Sequence, residues 1–291
     1  MTSLNERTVL TCLHIGSYNG KAVDREITEE VSEHHHADLK DAGRYSKQLI
    51  ATKFLKPVTS KISNARRIHR LLTLPWDDDA RILSNTGFNQ YSETMRLQRL
   101  GVEAAAAEFT AHWADFIQEA RTRLGNMFDY EDYPVAEVVG RKFYVDVEIK
   151  PVPCAGDFRA ELSDASVKAI TKDIERRTEE RLGKAMDDVF ERIADATGKM
   201  VEKLRAYKPG GIGEANEGTF RDSLVYNLRE LTDLIPALNI NNDKRLDELH
   251  TRLLADCTKH EPGQLRDDAK LRQQTAAAAE KILKKVNSYL A

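Results

Sequence analysis

Residues 163–207 read SDASVKAITKDIERRTEERLGKAMDDVFERIADATGKMVEKLRAY, and the spacing of their apolar positions decides the fold. Val167, Ile170, Ile174, Leu182, Met186, Val189, Ile193, Met200, Leu204 and Tyr207 recur at about the ~3.6-residue period of an α-helix, with Thr178 and Thr197 filling the gaps. Ser163 stands where an N-cap oxygen would accept from the first free N–H groups. A helix of this length cannot fold onto a small globule, so its stripe needs a neighbouring helix along it. An extended helical hairpin or coiled-coil arm is predicted.

Downstream, Tyr207-Lys-Pro-Gly-Gly-Ile-Gly213 stops the helix, and Thr219 with Asp222 resembles a capping box that starts the next. Phe220, Leu224, Leu228 and Leu231 give a stripe ending near Pro236. Helices are then expected over Lys244–Cys257 and Pro262–Leu290, with Pro262 suited to a first turn.

Upstream the text is mixed. Val9–Ile15 alternates as a strand and Tyr18-Asn19-Gly20-Lys21 signals a turn. A short helix is expected over Asp24–His34. A longer stripe, Tyr45, Leu49, Val58, Ile62, Ala65, Ile68 and Leu72, should be kinked or split by Pro57. The loop Asn85–Asn89 should lead into a helix from Tyr91 to Met127 with Leu100, Phe109, Trp113, Phe116, Ile117, Ala120 and Leu124 on its apolar side. Phe143, Val145, Val147 and Ile149 alternate with Tyr144, Asp146, Glu148 and Lys150, the mark of a strand with one dry face. Phe158, Ala160 and Leu162 alternate again, predicting a hairpin with the N-terminal strand as third partner. The expected class is α+β, predominantly α-helical: a small antiparallel sheet of about three strands with long antiparallel coiled-coil-like helices. A mixed domain over 1–162 and a helical hairpin or bundle over 163–291 are expected.

The chain has 291 residues, 41% of them hydrophobic, enough for a sizeable core. Its 44 basic and 47 acidic residues leave a net charge of −3, which argues against a dominant polyanion-binding surface but not against a local basic face. Three widely spaced cysteines, Cys12, Cys154 and Cys257, do not suggest a disulfide framework. With no signal-like start and no long apolar run, the expected location is cytoplasmic.

Several tracts invite chemistry. Asp77-Asp78-Asp79 could attract magnesium, but consecutive carboxylates cannot converge on one ion without a special loop, so a turn and helix-start role is expected, with Trp76 plugging a core. His34-His35-His36, beside Glu30 and Asp38, lacks the spaced second ligand pair of zinc motifs and reads as a solvated cluster. Cys12 and His14 with Cys257 and His260 fall outside zinc spacings. Gly210-Gly-Ile-Gly213 follows a helix rather than a strand and lacks the Lys-Ser/Thr of a phosphate loop.

Basic clusters occur at Arg66, Arg67 and Arg70, at Arg176, Arg177 and Arg181, at Lys203, Arg205 and Lys208, and at Lys281, Lys284 and Lys285. Aligned on one face they could grip nucleic-acid phosphates, although most alternate with acids as on a salt-bridged solvent face. No nucleophile motif or perturbed carboxylate pair stands out, so neither catalysis nor a cofactor is expected.

The segments Asp41-Ala-Gly-Arg-Tyr-Ser-Lys47, Leu74-Pro-Trp-Asp-Asp-Asp-Ala-Arg-Ile-Leu83 and Pro153-Cys-Ala-Gly-Asp-Phe-Arg159, in that order, resemble landmarks of an uncharacterised protein family of bacteriophages and mobile elements. The resemblance covers roughly the first two thirds of the chain. Members of that family are often encoded near a MoxR-type AAA+ ATPase and a cobaltochelatase-like von Willebrand A protein, so the resemblance implies protein partners of an ATPase-driven remodelling system and offers no catalytic residues. The expectation is a non-enzymatic adaptor, with possible homo-oligomers. A DNA-binding protein of phage replication or recombination, or a metal-dependent enzyme, is the alternative.

Overall fold

The computed structural model describes residues 4–154, 164–210, 217–218 and 220–291. In chain order the elements are α1 (Leu4–Arg7), β1 (Thr8–Gly16), β2 (Lys21–Val23), α2 (Arg25–His34), β3 (Ser46–Gln48), α3 (Thr52–Leu72), β4 (Leu74–Pro75) and β5 (Arg81–Ser84). Then follow α4 (Asn85–Ala111), α5 (Trp113–Leu124), 3-10 turns at Gly125–Met127 and Tyr130–Asp132, α6 (Ala136–Gly140) and β6 (Tyr144–Pro151). The rest is helical: α7 (Asp164–Ala206), α8 (Ser223–Leu238), α9 (Lys244–Asp256), α10 (Pro262–Asp267) and α11 (Ala269–Leu290). The class is α+β and mostly helical, with one antiparallel sheet in the order β4-β5-β1-β6 and a separate β2-β3 pair.

Contacts divide the chain into two units. The first comprises Met1–Cys12, Arg70–Tyr91 and Ile149–Ala291; the second comprises Leu13–His69 and Ser92–Glu148.

In the first unit α7 runs unbroken for 43 residues, about 65 Å at ~1.5 Å per residue. Phe190 meets Tyr289, Arg205 pairs with Glu280 at 2.6 Å, and the Arg272 guanidinium lies 5.2 Å from the Tyr207 ring centroid. Ascending numbers on α7 face descending ones on α11, so the two helices are antiparallel. Val189, Phe190, Ile193, Met200 and Leu204 are buried with Leu228, Leu234, Ile235, Ala279, Ile282 and Val286 in one core, which also takes Leu10, Leu74, Trp76 and Ile82 from the strands and the β4-β5 bend. A single helix over Pro262–Leu290 is not formed. Asp268 leaves the helical conformation and its carboxylate accepts from Leu271 N–H, ending α10 and capping α11.

In the second unit the buried face of α3, Leu55, Val58, Ile62 and Ala65, joins Val102, Ala106, Phe109, Trp113 and Phe143 as core residues. Edge-to-face and tilted ring pairs link Tyr18, Trp113, Phe109 and Phe143. The Asn19-Gly20 turn needs its glycine: φ is +65° and an added Cβ would lie 2.8 Å from Leu55 Cδ1.

Some expectations change. Pro57 does not split α3, because it lies on the exposed side, where water can bond the carbonyl left without a donor. Tyr45 precedes β3 and Leu49 follows it, so neither belongs to that helix. Asn85–Asn89 is the first turn of α4, not a loop, with Ser84 Oγ accepting from Gly87 N–H. The helix expected to reach Met127 breaks at His112 and ends at Leu124, and Leu100 is 46% exposed while Val102 and Ala106 carry the seam. Asp77–Asp79 begin no helix; they form the bend between β4 and β5, a hairpin added to the sheet expected from β1 and β6. The strand over Phe158–Leu162, the Ser163 cap, Gly211–Gly213 and Thr219 lie outside the described residues.

Candidate functional site

The long helix has two unlike halves. From Ala185 onward its stripe is buried, whereas no residue from Asp164 to Lys184 is. Val167, Ile170, Ile174 and Leu182 are half-buried and continue the same seam that α11 covers further on. At 22 residues α11 spans about half the length of α7 at ~1.5 Å per residue. Beside the open half, Leu4, Val152, Pro153 and Cys154 face Ile174 and Thr178 across a groove of about 260 Å³. A narrow apolar stripe with charged flanks can take one further amphipathic helix by the packing it already uses with α11.

The charged flanks are largely self-satisfied. Arg176 bonds Asp173 and Glu180, both at 2.6 Å, and Arg177 pairs with Asp173 at 2.7 Å. These bonds raise the Arg176 pKa and hold the Asp173 carboxyl below its ordinary value. Arg181 reaches Asp77 at 3.8 Å and lies over the Trp76 ring. Arg205 holds Glu280, and Lys285 holds Glu248 at 2.5 Å. On α3, Arg66 and Arg70 are exposed, and Arg67 donates to Asn64 Oδ1 at 3.2 Å.

The aspartate tract serves its own hairpin. Asp77 Oδ1 accepts from Asp79 N–H at 3.2 Å and Ala80 N–H at 2.7 Å, and Asp77 N–H donates to the Ala80 carbonyl. Trp76 is buried in the core, as its sequence context suggests. Asp77→Ala is expected to cost about 1–2 kcal/mol in urea unfolding, and Asp78→Ala, whose side chain is exposed, less than about 0.5. Equal losses would contradict the turn role.

The histidines and cysteines do not converge. His36 lines a shallow cavity with Glu29 and Glu33, and His14 pairs with Glu148 at 3.2 Å. Cys257 is fully buried, and burial, with Asp256 adding to it, pushes its thiol up to about 12, so it is no nucleophile near neutral pH. Among the described residues, no group of three or more His, Cys, Asp or Glu is placed to hold a metal ion, and no helix is long and apolar enough to cross a membrane.

Two arginines missed in the sequence cap α3. Arg192 is bound by Asp188 at 2.7 Å and donates to the carbonyls of Arg70, Leu71 and Thr73 at 2.9–3.0 Å. Arg81 donates to the Thr73 hydroxyl and carbonyl at 2.8 and 2.9 Å. Burial, followed by the charge of Arg192, pushes the Arg81 guanidinium down to about 10. These groups satisfy the carbonyls that a helix end leaves free. Alternating charge hides such residues in a sequence, because their acceptors are backbone atoms.

Compared with protein-family models, curated proteins and solved structures, the chain matches none. Its class rests on its own residues: an α+β protein, mostly helical, whose distinguishing element is a 43-residue helix with buried positions only from Ala185 onward.

Proposed function

We propose that this chain is a non-enzymatic adaptor of a phage or mobile-element assembly, acting in the cytoplasm of a bacterial host beside a MoxR-type AAA+ ATPase. The carrying observation is the open half of α7, whose stripe continues an established helix-helix seam and then lacks a buried residue. The occupant this seam suits is an amphipathic helix of the ATPase system. The sequence resemblance supports the choice of partner. In this reading α11 anchors one end of the rod and the ATPase engages the other.

Ile170→Lys with Ile174→Lys tests it. Both side chains are half-buried, so the fold should lose less than about 1 kcal/mol. Covering what each half-buried isoleucine still exposes would contribute about 0.5–1 kcal/mol, and a lysine ammonium placed in the seam adds a desolvation cost, so co-purification with the ATPase should fall at least about tenfold. The measurement is capture from the native operon with and without the ATPase, under ATP, ADP and no nucleotide. Absence of association with wild-type protein in every nucleotide state would remove the proposal.

A further inference from the structure

We propose that the exposed face of α3 binds the phosphate backbone of nucleic acid. Its sequence, TKFLKPVTSKISNARRIHRLL, carries Lys53, Lys56, Lys61, Arg66, Arg67 and Arg70 and no aspartate or glutamate. Acids make up 47 of 291 residues, so their absence from 21 consecutive positions is a local segregation inside a chain of net charge −3. All six cations are exposed, while Leu55, Val58, Ile62 and Ala65 occupy the buried side.

The geometry makes this a row. Within the second unit, Lys53, Lys56, Ser60, Ser63 and Arg67 follow one another at alternating steps of three and four, which places them along one helix face for about 21 Å at ~1.5 Å per residue. Every member donates hydrogen bonds, and lysine, arginine and serine are the side chains that grip phosphate oxygens. Among the described residues no carboxylate lies within ion-pair reach of Lys53, Lys56, Lys61 or Arg66. On α4 and α5, which Asn64 and Phe54 of α3 touch, Glu93, Glu103 and Glu119 pair within their own helices with Arg96, Arg99 and Arg123. This separates these four cations from the α7 cluster, where Asp173 and Glu180 hold Arg176.

The same face argues against other anionic partners. The apolar side of α3 is committed to the core, so the helix has nothing to insert into a lipid surface. Its exposed side lacks the aromatic anchors on which protein interfaces concentrate their energy. What remains is a sequence-independent polyanion contact, steered by charge and weakened by salt.

Fluorescence anisotropy would test this with a labelled 25-base-pair DNA duplex, the matching single strand and the matching RNA, titrated from 50 to 200 mM salt. Wild-type protein should bind at least one, with affinity falling steeply as salt rises. Lys53→Gln with Lys56→Gln should weaken binding about tenfold or more at 50 mM salt and lower the log-log salt slope on duplex by about 1.8, at ~0.9 per lost contact. Lys244→Gln with Lys270→Gln makes the same charge change at exposed positions of α9 and α11 and should alter affinity less than about twofold. If the first variant also melts early, Lys53→Arg with Lys56→Arg must bind as wild type does. The proposal is overturned by no binding to any of the three at 50 mM salt, by equal losses in the two glutamine pairs, or by Lys53/Lys56-dependent capture on phosphatidylserine vesicles without nucleic-acid binding.

Discussion

Replacing Phe190 with alanine should lower the unfolding free energy by about 3–5 kcal/mol, the range for deleting a large buried aromatic side chain. Phe190 is 1% exposed, with its ring 5.6 Å from that of Tyr289 on α11 and the Arg245 guanidinium 5.0 Å from its centroid. Truncation removes its apolar burial, the edge-to-face ring contact and a cation-π contact, and leaves a cavity that rigid neighbouring helices cannot fully close. Ile174→Ala, on the open half of the same helix, should cost about 1 kcal/mol, because that side chain is only half-buried and its loss opens no enclosed cavity. Urea unfolding followed by circular dichroism would compare them, with an unchanged slope showing that the midpoint shift reports stability. If the two units unfold separately, only one transition should move in Phe190→Ala. Similar costs for both substitutions would mean that α7 is covered along its whole length, and the adaptor reading would lose its docking surface.

The asymmetry along α7 explains which parts of the fold the sequence disclosed. A 3.6-residue period is a local property, and it marked the rod, α8, α9 and the body of α3 without knowledge of their neighbours. The same period runs through Val167 and Ile174 as through Val189 and Ile193, so it could not show where coverage stops. The β4-β5 hairpin escaped because β4 is only Leu74–Pro75, too short to display alternation, and is defined by pairing with Ile82 and Arg81. Asn85–Asn89 has loop-like composition, yet Ser84 supplies the cap that lets helix begin there. For the candidate sites, the six named arginines were visible as clusters, but their different standing was not. Arg176 and Arg177 are neutralised by Asp173 one turn away, whereas α3 lacks any acid, a contrast that the sequence contains and that helix boundaries make legible.

Lys47 illustrates the opposite limit, an interaction with no local signal, and its replacement by methionine should destabilise the second unit by about 3–5 kcal/mol, the cost of removing one member of a buried ion cluster. Its side chain is 8% exposed, and its ammonium lies 3.1 Å from Asp24 and 2.7 Å from Asp132 and donates to the Met127 carbonyl at 3.1 Å. One side chain thereby ties β3 to the N-cap of α2 and to both 3-10 turns. Burial pulls the Lys47 pKa down, but the bonds to Asp132 and Asp24 outweigh it and leave the group raised above 10.5. Asp24 is held below its ordinary 3.8, first by the Ile27 N–H and also by Lys47.

The signs of these shifts fix the pH dependence. The Lys47 contribution is fully present below about 10.5 and is lost as pH rises through its higher folded value. That of Asp24 is fully present above about 3.8 and is lost as pH falls through its lower folded value. The stability difference between wild type and Lys47→Met should therefore be flat from about pH 4 to 10 and shrink on either side. Adding Asp24→Asn and Asp132→Asn to Lys47→Met should restore a large part of the loss, because the charges left without a cation are gone and asparagine can still cap α2. If the triple variant is no more stable than Lys47→Met, the cost lies in lost packing of the lysine stem rather than in stranded carboxylates, and the charge cluster is not what closes this unit.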